Sequence, residues 1–203
     1  MRKVIPLSVI RQHEADPKKW EAAQRRADVV TKRLKLKQGE INALMRKAQD
    51  ADDTDDVIKI MRQVMDIIGA AMKNVAPCGA GCSSCCHIPV MISYPEAVLI
   101  GQEIGRPPTP IQYTLERNDS YTGTPCPFLK KGNCSIYKSR PLVCRMQYSM
   151  AGDDVLCTIY PGESIKVPYF NLKQFEVAQL KAIGPEHFFS QGDLRDWFPQ
   201  GEK

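Results

Sequence analysis

The sequence predicts an α-rich α+β fold, an N-terminal helical hairpin followed by a loop-rich body with only short helices. Three observations point there. Apolar residues recur at helical spacing as far as Met72, all eight cysteines lie beyond residue 77, and the charge divides along the same boundary. Residues 1–50 hold 13 Lys+Arg and 6 Asp+Glu, residues 51–77 hold 3 and 5, and residues 78–203 hold 12 and 12. The boundaries that follow are 1–73 for a basic helical hairpin, 74–160 for a cysteine-bearing body, and 161–203 for a C-terminal helical extension packing on that body.

The elements can be justified in order. Asp16 and Pro17 form an N-cap and first-turn pair. Trp20, Ala23, Ala27, Val30 and Leu34 then share one helix face. Gly39 punctuates, and Ile41, Leu44, Met45 and Ala48 give a short continuation. The acidic run 50–56 suits a turn and a helix N-terminus, where carboxylates favour the positive end of the dipole. Val57, Ile60, Met61, Val64, Met65, Ile68, Ala71 and Met72 make the apolar stripe of the second arm. Trp20, Val30 and Leu34 are expected to face Ile60, Val64 and Ile68, with Asp52–Asp56 at the far tip and no strand in this segment. In the body, Ser93-Tyr-Pro-Glu96 has the form of a capping box, and its helix should stop at Gly105. Lys130-Lys-Gly-Asn133 reads as a turn over Ile136 and Tyr137. Arg140-Pro141 starts a short helix that brings in Cys144. Asn171 should cap a helix over Leu172, Phe175, Val177, Ala178 and Leu180, ended by Gly184-Pro185. A last turn at Asp193–Phe198 presents Trp197.

Composition excludes several classes. With 43% hydrophobic and 25% charged residues, the chain is an ordinary globular one. No run approaches the ~18 apolar residues of a membrane span. The N-terminal apolar run is broken by Pro6 and Ser8 and followed by Arg11, His13 and Glu14, unlike a secretory signal. The expected location is the cytoplasm, where clustered cysteines are more often metal ligands than disulfides.

Those cysteines form two groups, Cys78-x3-Cys82-x2-Cys85-Cys86 and the dispersed set Cys126, Cys134, Cys144 and Cys157. Four thiolates close a tetrahedral zinc site or hold an iron–sulfur cluster. Gly79 and Gly81 give the first loop the freedom to bend around a centre. Neighbouring residues tend to send their side chains apart, so Cys85 and Cys86 are hard to seat on one mononuclear metal. Iron–sulfur is favoured over zinc for that reason, and at least four cysteines drawn from both groups are expected to converge. All eight are candidate ligands. Arg140 and Arg145 are candidates to stabilise the negative charge of thiolates. His87 is a weaker candidate ligand beside Cys86.

The first group also has the spacing of the radical S-adenosylmethionine motif. That family carries an aromatic residue before its third cysteine, where this chain has Ser84, and the 117 residues after Cys86 are too few for a barrel of ~200 or more. The chain instead resembles the YkgJ-type cysteine-cluster family, described as a zinc- or iron-chelating domain. The resemblance lies in the first cysteine group, Tyr94-Pro-Glu-Ala97, Cys126-Pro-Phe-Leu129, Cys134-Ser-Ile-Tyr137, Arg140-Pro141, Cys144-Arg145 and Cys157, over about residues 75–160. It implies a metal or iron–sulfur centre and leaves the activity open. Flagellin lysine N-methylases are similar over the cysteine region, but they are longer, and no glycine-rich methyl-donor loop is present here.

Three functions follow as expectations. The first is a metal-binding protein carrying a cysteine-ligated iron–sulfur cluster or zinc, with a redox role. The second is a zinc-stapled module that holds nucleic acid or a protein through its basic hairpin. The third is a protein-modifying enzyme related to the lysine methylases. The partner is expected to be another protein, or a second copy docking through the hairpin. Nucleic acid is not favoured: Lys18, Lys19, Arg25, Arg26, Lys32, Arg33, Lys35 and Lys37 have no interleaved aromatics beyond Trp20. No membrane is expected.

Overall fold

The computed structural model describes residues 5–79, 81–175 and 189–200, together with the single positions 178, 184 and 187. Its first half is helical: α1 (Leu7–Ala15), α2 (Pro17–Leu36), α3 (Gln38–Gln49) and α4 (Thr54–Met72) follow one another with short joints. Asp16 caps α2 by accepting the Lys18 N–H at 3.0 Å. Asp53 caps α4 by accepting the Asp55 N–H at 2.7 Å. Each satisfies a backbone donor that a helix start leaves orphaned.

The hairpin is present, with its first arm in two pieces. α3 runs along α4 through the acidic turn, and α2 also lies against α4. The arm breaks at Lys37, whose backbone leaves the helical region at φ −104°, ψ 5°. Val30, Ile58, Val64 and Ile68 are fully buried, each burial worth ~1.5–3 kcal/mol. Trp20 departs from its expected place. It is half-buried, and its Nε1 donates to the Glu14 carbonyl at 2.8 Å, which ties α2 to the end of α1. α1 itself has no counterpart in the sequence reading. It buries Ile10 against Ala151 and Leu156.

The body uses α4 as its support. Leu99, Leu142, Tyr148 and Met150 share a core with the helices. On the flank of α4, Arg62 clamps Glu103 at 2.6 and 2.8 Å, and Asp66 accepts from Arg145 at 2.7 Å. Glu103 lies in α5 (Tyr94–Ile104) and Arg145 in α6 (Leu142–Met146). α5 stops at Gly105, which takes the left-handed conformation with φ 67°, as its sequence predicts. The capping box does not close at its start. Ser93 makes no side-chain cap, and Glu96 instead accepts the Leu142 N–H at 2.7 Å.

The strands are short. β1 (Met91–Ser93) pairs antiparallel with β4 (Gln191–Asp193), Ile92 opposite Gly192, while β2 (Leu129–Lys130) pairs with β3 (Asn133–Cys134). A Cβ at Gly192 would lie 2.1 Å from Ile111 Cδ1, so any larger residue here would force the Ile111 side chain to move. After β4 comes α7 (Leu194–Trp197). Trp197 is buried beneath it with 1% exposure rather than presented to solvent. Asn171 accepts the Lys173 N–H at 3.0 Å, and Leu172 and Phe175 are buried. Val177 and Leu180 of that expected helix lie outside the described residues. Among the described residues, no helix is long and apolar enough to cross a membrane.

Candidate metal centre

The first cysteine loop is shaped by its backbone. The Cys82 N–H donates to the Gly79 carbonyl at 3.0 Å, and Gly81 sits at φ 83°. A single 3-10 turn, Ser84–His87, then carries Cys85 and Cys86. The Cys126 N–H donates to the Cys86 carbonyl at 2.7 Å, which pins the two cysteine groups together backbone to backbone.

From Cys126 the chain turns into the β2–β3 hairpin. Its two-residue loop has Lys131 at φ 51° and Gly132 at φ 78°, the paired positive angles that suit the twist of a tight hairpin. The hairpin puts Cys134 opposite Leu129. Ile136 packs against the core there. Tyr137 does not: it is 58% exposed, and the Arg140 guanidinium lies 4.1 Å from its ring centroid. α6 delivers Cys144, and the short turn Val155–Cys157 delivers the last cysteine.

All eight cysteines are free thiols. Seven of them, all but Cys157, line one cavity of about 150 Å³ whose apolar wall includes Phe128 and Leu194. Cys157 lies on a larger adjoining cleft of about 990 Å³, together with Cys78, Cys82 and Cys85. Among the described residues, no three Cys, His, Asp or Glu side chains stand close enough together as they lie to hold an ion. The thiols are gathered around common space without being drawn onto a point.

The electrostatics of these thiols follow from burial. Desolvation pushes Cys78 up to about 11, against the Ser149 N–H that donates to its sulfur at 3.4 Å. Desolvation also pushes Cys157 up to about 11, with Cys78, Cys82 and Cys85 adding to the rise. Cys85 is raised first by its hydrogen bond with Cys86 and then by burial. Cys144 is raised well above the ordinary thiol value by burial, then by Cys85 and Cys126. Burial raises Cys126 and Cys134 as well, while the N–H groups of Phe128 and Ile136, each two residues on, pull them back. Amides aimed at sulfur favour the thiolate.

Both expected arginines lie near the thiols. Arg140 lines the small cavity, and its charge favours ionisation of Cys85 and Cys134. Arg145 acts on Cys134 more weakly. It is 5% exposed and engaged with Asp66 and the carbonyls of Arg140 and Lys138. His87 lines neither cavity, and its Nδ1 meets the Ser83 carbonyl at 2.9 Å.

Sequence reasoning missed one group, Asp193 and Arg195. Asp193 is 1% exposed and Arg195 6%. Asp193 accepts from the Val90 N–H at 2.6 Å, the Arg195 N–H at 2.8 Å and Arg195 Nη1 at 3.1 Å. Arg195 Nη2 donates to the Thr124 carbonyl at 2.7 Å and reaches the Cys86 carbonyl at 3.4 Å. The C-terminus thus buckles the two cysteine segments together where Cys126 follows Cys86, and the Arg195 charge favours the Cys126 thiolate. The only local signal is an acidic N-cap before a basic residue.

Residues 77–174 match the family described as "CxxCxxCC: Putative zinc- or iron-chelating domain". Over that span the cysteine body is similar to that family, consistent with the YkgJ-type resemblance. The match ends before β4 and Arg195. No curated protein and no solved structure matches the chain.

Proposed function

We propose that the cysteine body binds metal through its thiolates, as an iron–sulfur centre in preference to zinc, and that the bound centre serves a redox role. The observation that carries this reading is the convergence of seven cysteines, from both sequence groups, on one cavity of about 150 Å³. The donor set fits. Thiolates are soft ligands suited to iron–sulfur clusters and zinc. Buried thiols that resist ionisation on their own are costly to charge unless a cation accompanies them. Backbone amides near Cys78, Cys126 and Cys134 already lean toward sulfur, as do the charges of Arg140 and Arg195. When bound, an iron–sulfur centre supplies one-electron chemistry. The protein's own residues hold the thiolates, exclude water with Phe128 and Leu194, and balance negative charge.

The basic helix adds little to a binding-module reading, because much of its charge is used internally. Lys19 pairs with Asp153 at 2.8 Å. Arg26 Nη1 donates to the Met150 carbonyl at 3.0 Å. Arg33 Nη1 donates to the Ala71 and Lys73 carbonyls at 2.8 and 2.9 Å. These residues bind the hairpin to the rest of the chain.

Anaerobic purification of the full chain, with iron, zinc and acid-labile sulfide measured per chain, tests the proposal. Iron with matching sulfide and visible absorption is the expected result. Zinc without sulfide would overturn the iron–sulfur and redox assignment. Metal-free, folded protein with eight titratable thiols would overturn metal binding altogether.

A further inference from the structure

We infer that the eight cysteines are divided between two four-thiolate centres, Cys78, Cys82, Cys85 and Cys157 on one side and Cys86, Cys126, Cys134 and Cys144 on the other. This rests on the metal-binding reading above and specifies how the ligands are shared.

The division follows from the two cavities. Cys157 lines the large cleft and not the small cavity. Cys86, Cys126, Cys134 and Cys144 line the small cavity and not the cleft. Cys78, Cys82 and Cys85 line both, so the first loop is the wall between the two spaces. A centre joining Cys157 to any of Cys86, Cys126, Cys134 or Cys144 would have to gather sulfurs from both sides of that wall.

Packing agrees for the four cysteines it places. Cys86, Cys126 and Cys144 belong to one hydrophobic cluster, built around Phe128, Leu194 and Trp197, whereas Cys78 packs against the separate core of the N-terminal helices. Backbone contacts agree. Cys86 and Cys126 are joined by a hydrogen bond, and Ser149 sits beside both Cys78 and Cys157, bonding each sulfur. Cys85, which lines both spaces, is hydrogen-bonded to Cys86, which lines only the small cavity. The vicinal pair is therefore the junction, with one sulfur for each side. Four thiolates complete either a zinc site or an iron–sulfur cluster, so the division holds for both metals.

The test is metal content per chain, with sulfide where iron is present, in full-length wild type, C157S, C144S and the double variant. Each single variant should retain about half of the wild-type metal, and the double variant almost none. C82S and C134S repeat the comparison from a second position on each side, separating loss of a ligand from a local folding defect. Complete loss in every single variant would overturn the division in favour of one shared centre. Full retention in both C157S and C82S would overturn it by removing that side as a centre. Metal-free wild type would overturn the underlying metal reading itself, a failure distinguishable from the other two.

Discussion

Replacing Arg195 by Met removes a buried cation while keeping most of its volume. The change strips the Asp193 carboxylate, 1% exposed, of its charged partner. Breaking one side of a buried ion pair costs ~3–5 kcal/mol. Asp193 keeps the Val90 and residue-195 backbone N–H groups as donors, which places the expected loss near the lower end, about 3 kcal/mol. For a chain of this size, that corresponds to a fall in Tm of roughly 6–12 °C. The Thr124 carbonyl also loses a 2.7 Å donor. Urea unfolding of R195M, D193N and R195M/D193N gives the coupling directly. The double variant should be less damaged than the sum of the singles, because Asn leaves no unpaired charge behind. An R195M protein within ~1 kcal/mol of wild type, or strictly additive variants, would refute the claim that this pair buckles the two cysteine segments together.

Ile68→Ala, at a fully buried site on α4, should lower the unfolding free energy by ~2–5 kcal/mol, measured by urea denaturation. Glu14 is held below the usual carboxylate value of 4.5, first by the Lys166 N–H and then by the Arg11 side chain. Its contribution is therefore present above pH 4.5 and lost as pH falls through the depressed folded value. Hydrogen exchange in α1 should accelerate in that acidic window, and Glu14→Gln should remove the pH dependence. Fluorescence titration with generic single-stranded DNA at physiological salt should show no binding. Micromolar affinity that falls steeply with salt and vanishes in the R25A/R26A/K32A/R33A variant would contradict that expectation.

What was legible in the sequence was what neighbouring residues decide. The α4 stripe, the cap at Asp16, the helix start within the acidic run 50–56, the stop at Gly105 and the turn at Lys130–Asn133 are all local signals, and each appears where its spacing places it. The readings that failed depended on a partner in another element. Glu96 has the right spacing to cap its own helix, yet it accepts from Leu142, 46 residues away, because α6 also needs a buried acceptor at its start. Trp20 falls on the apolar stripe, but its indole N–H needs an acceptor when buried, and the end of α1 supplies one.

The cysteine site shows the same asymmetry. Soft-ligand chemistry is written in the residue type, and the short first group announces it without any structure. The apportionment proposed for the eight sulfurs rests on backbone contacts instead. The first loop stands as a wall, Cys126 is tied to Cys86, and a strand from residues 191–193 closes the sheet beside Val90. Arg195 belongs to that last strand–helix turn, beyond the part of the chain that carries the cysteine pattern. A motif confined to ligands omits the residue that fixes the carbonyls of Cys86 and Thr124, because such a residue needs only reach and charge. Burial of the Asp193–Arg195 pair gives no stability to spare for its own sake, since isolated buried pairs are close to neutral. Its value to the fold lies in where it holds the chain, between the vicinal cysteines and the segment that carries Cys126 and leads into the hairpin of Cys134.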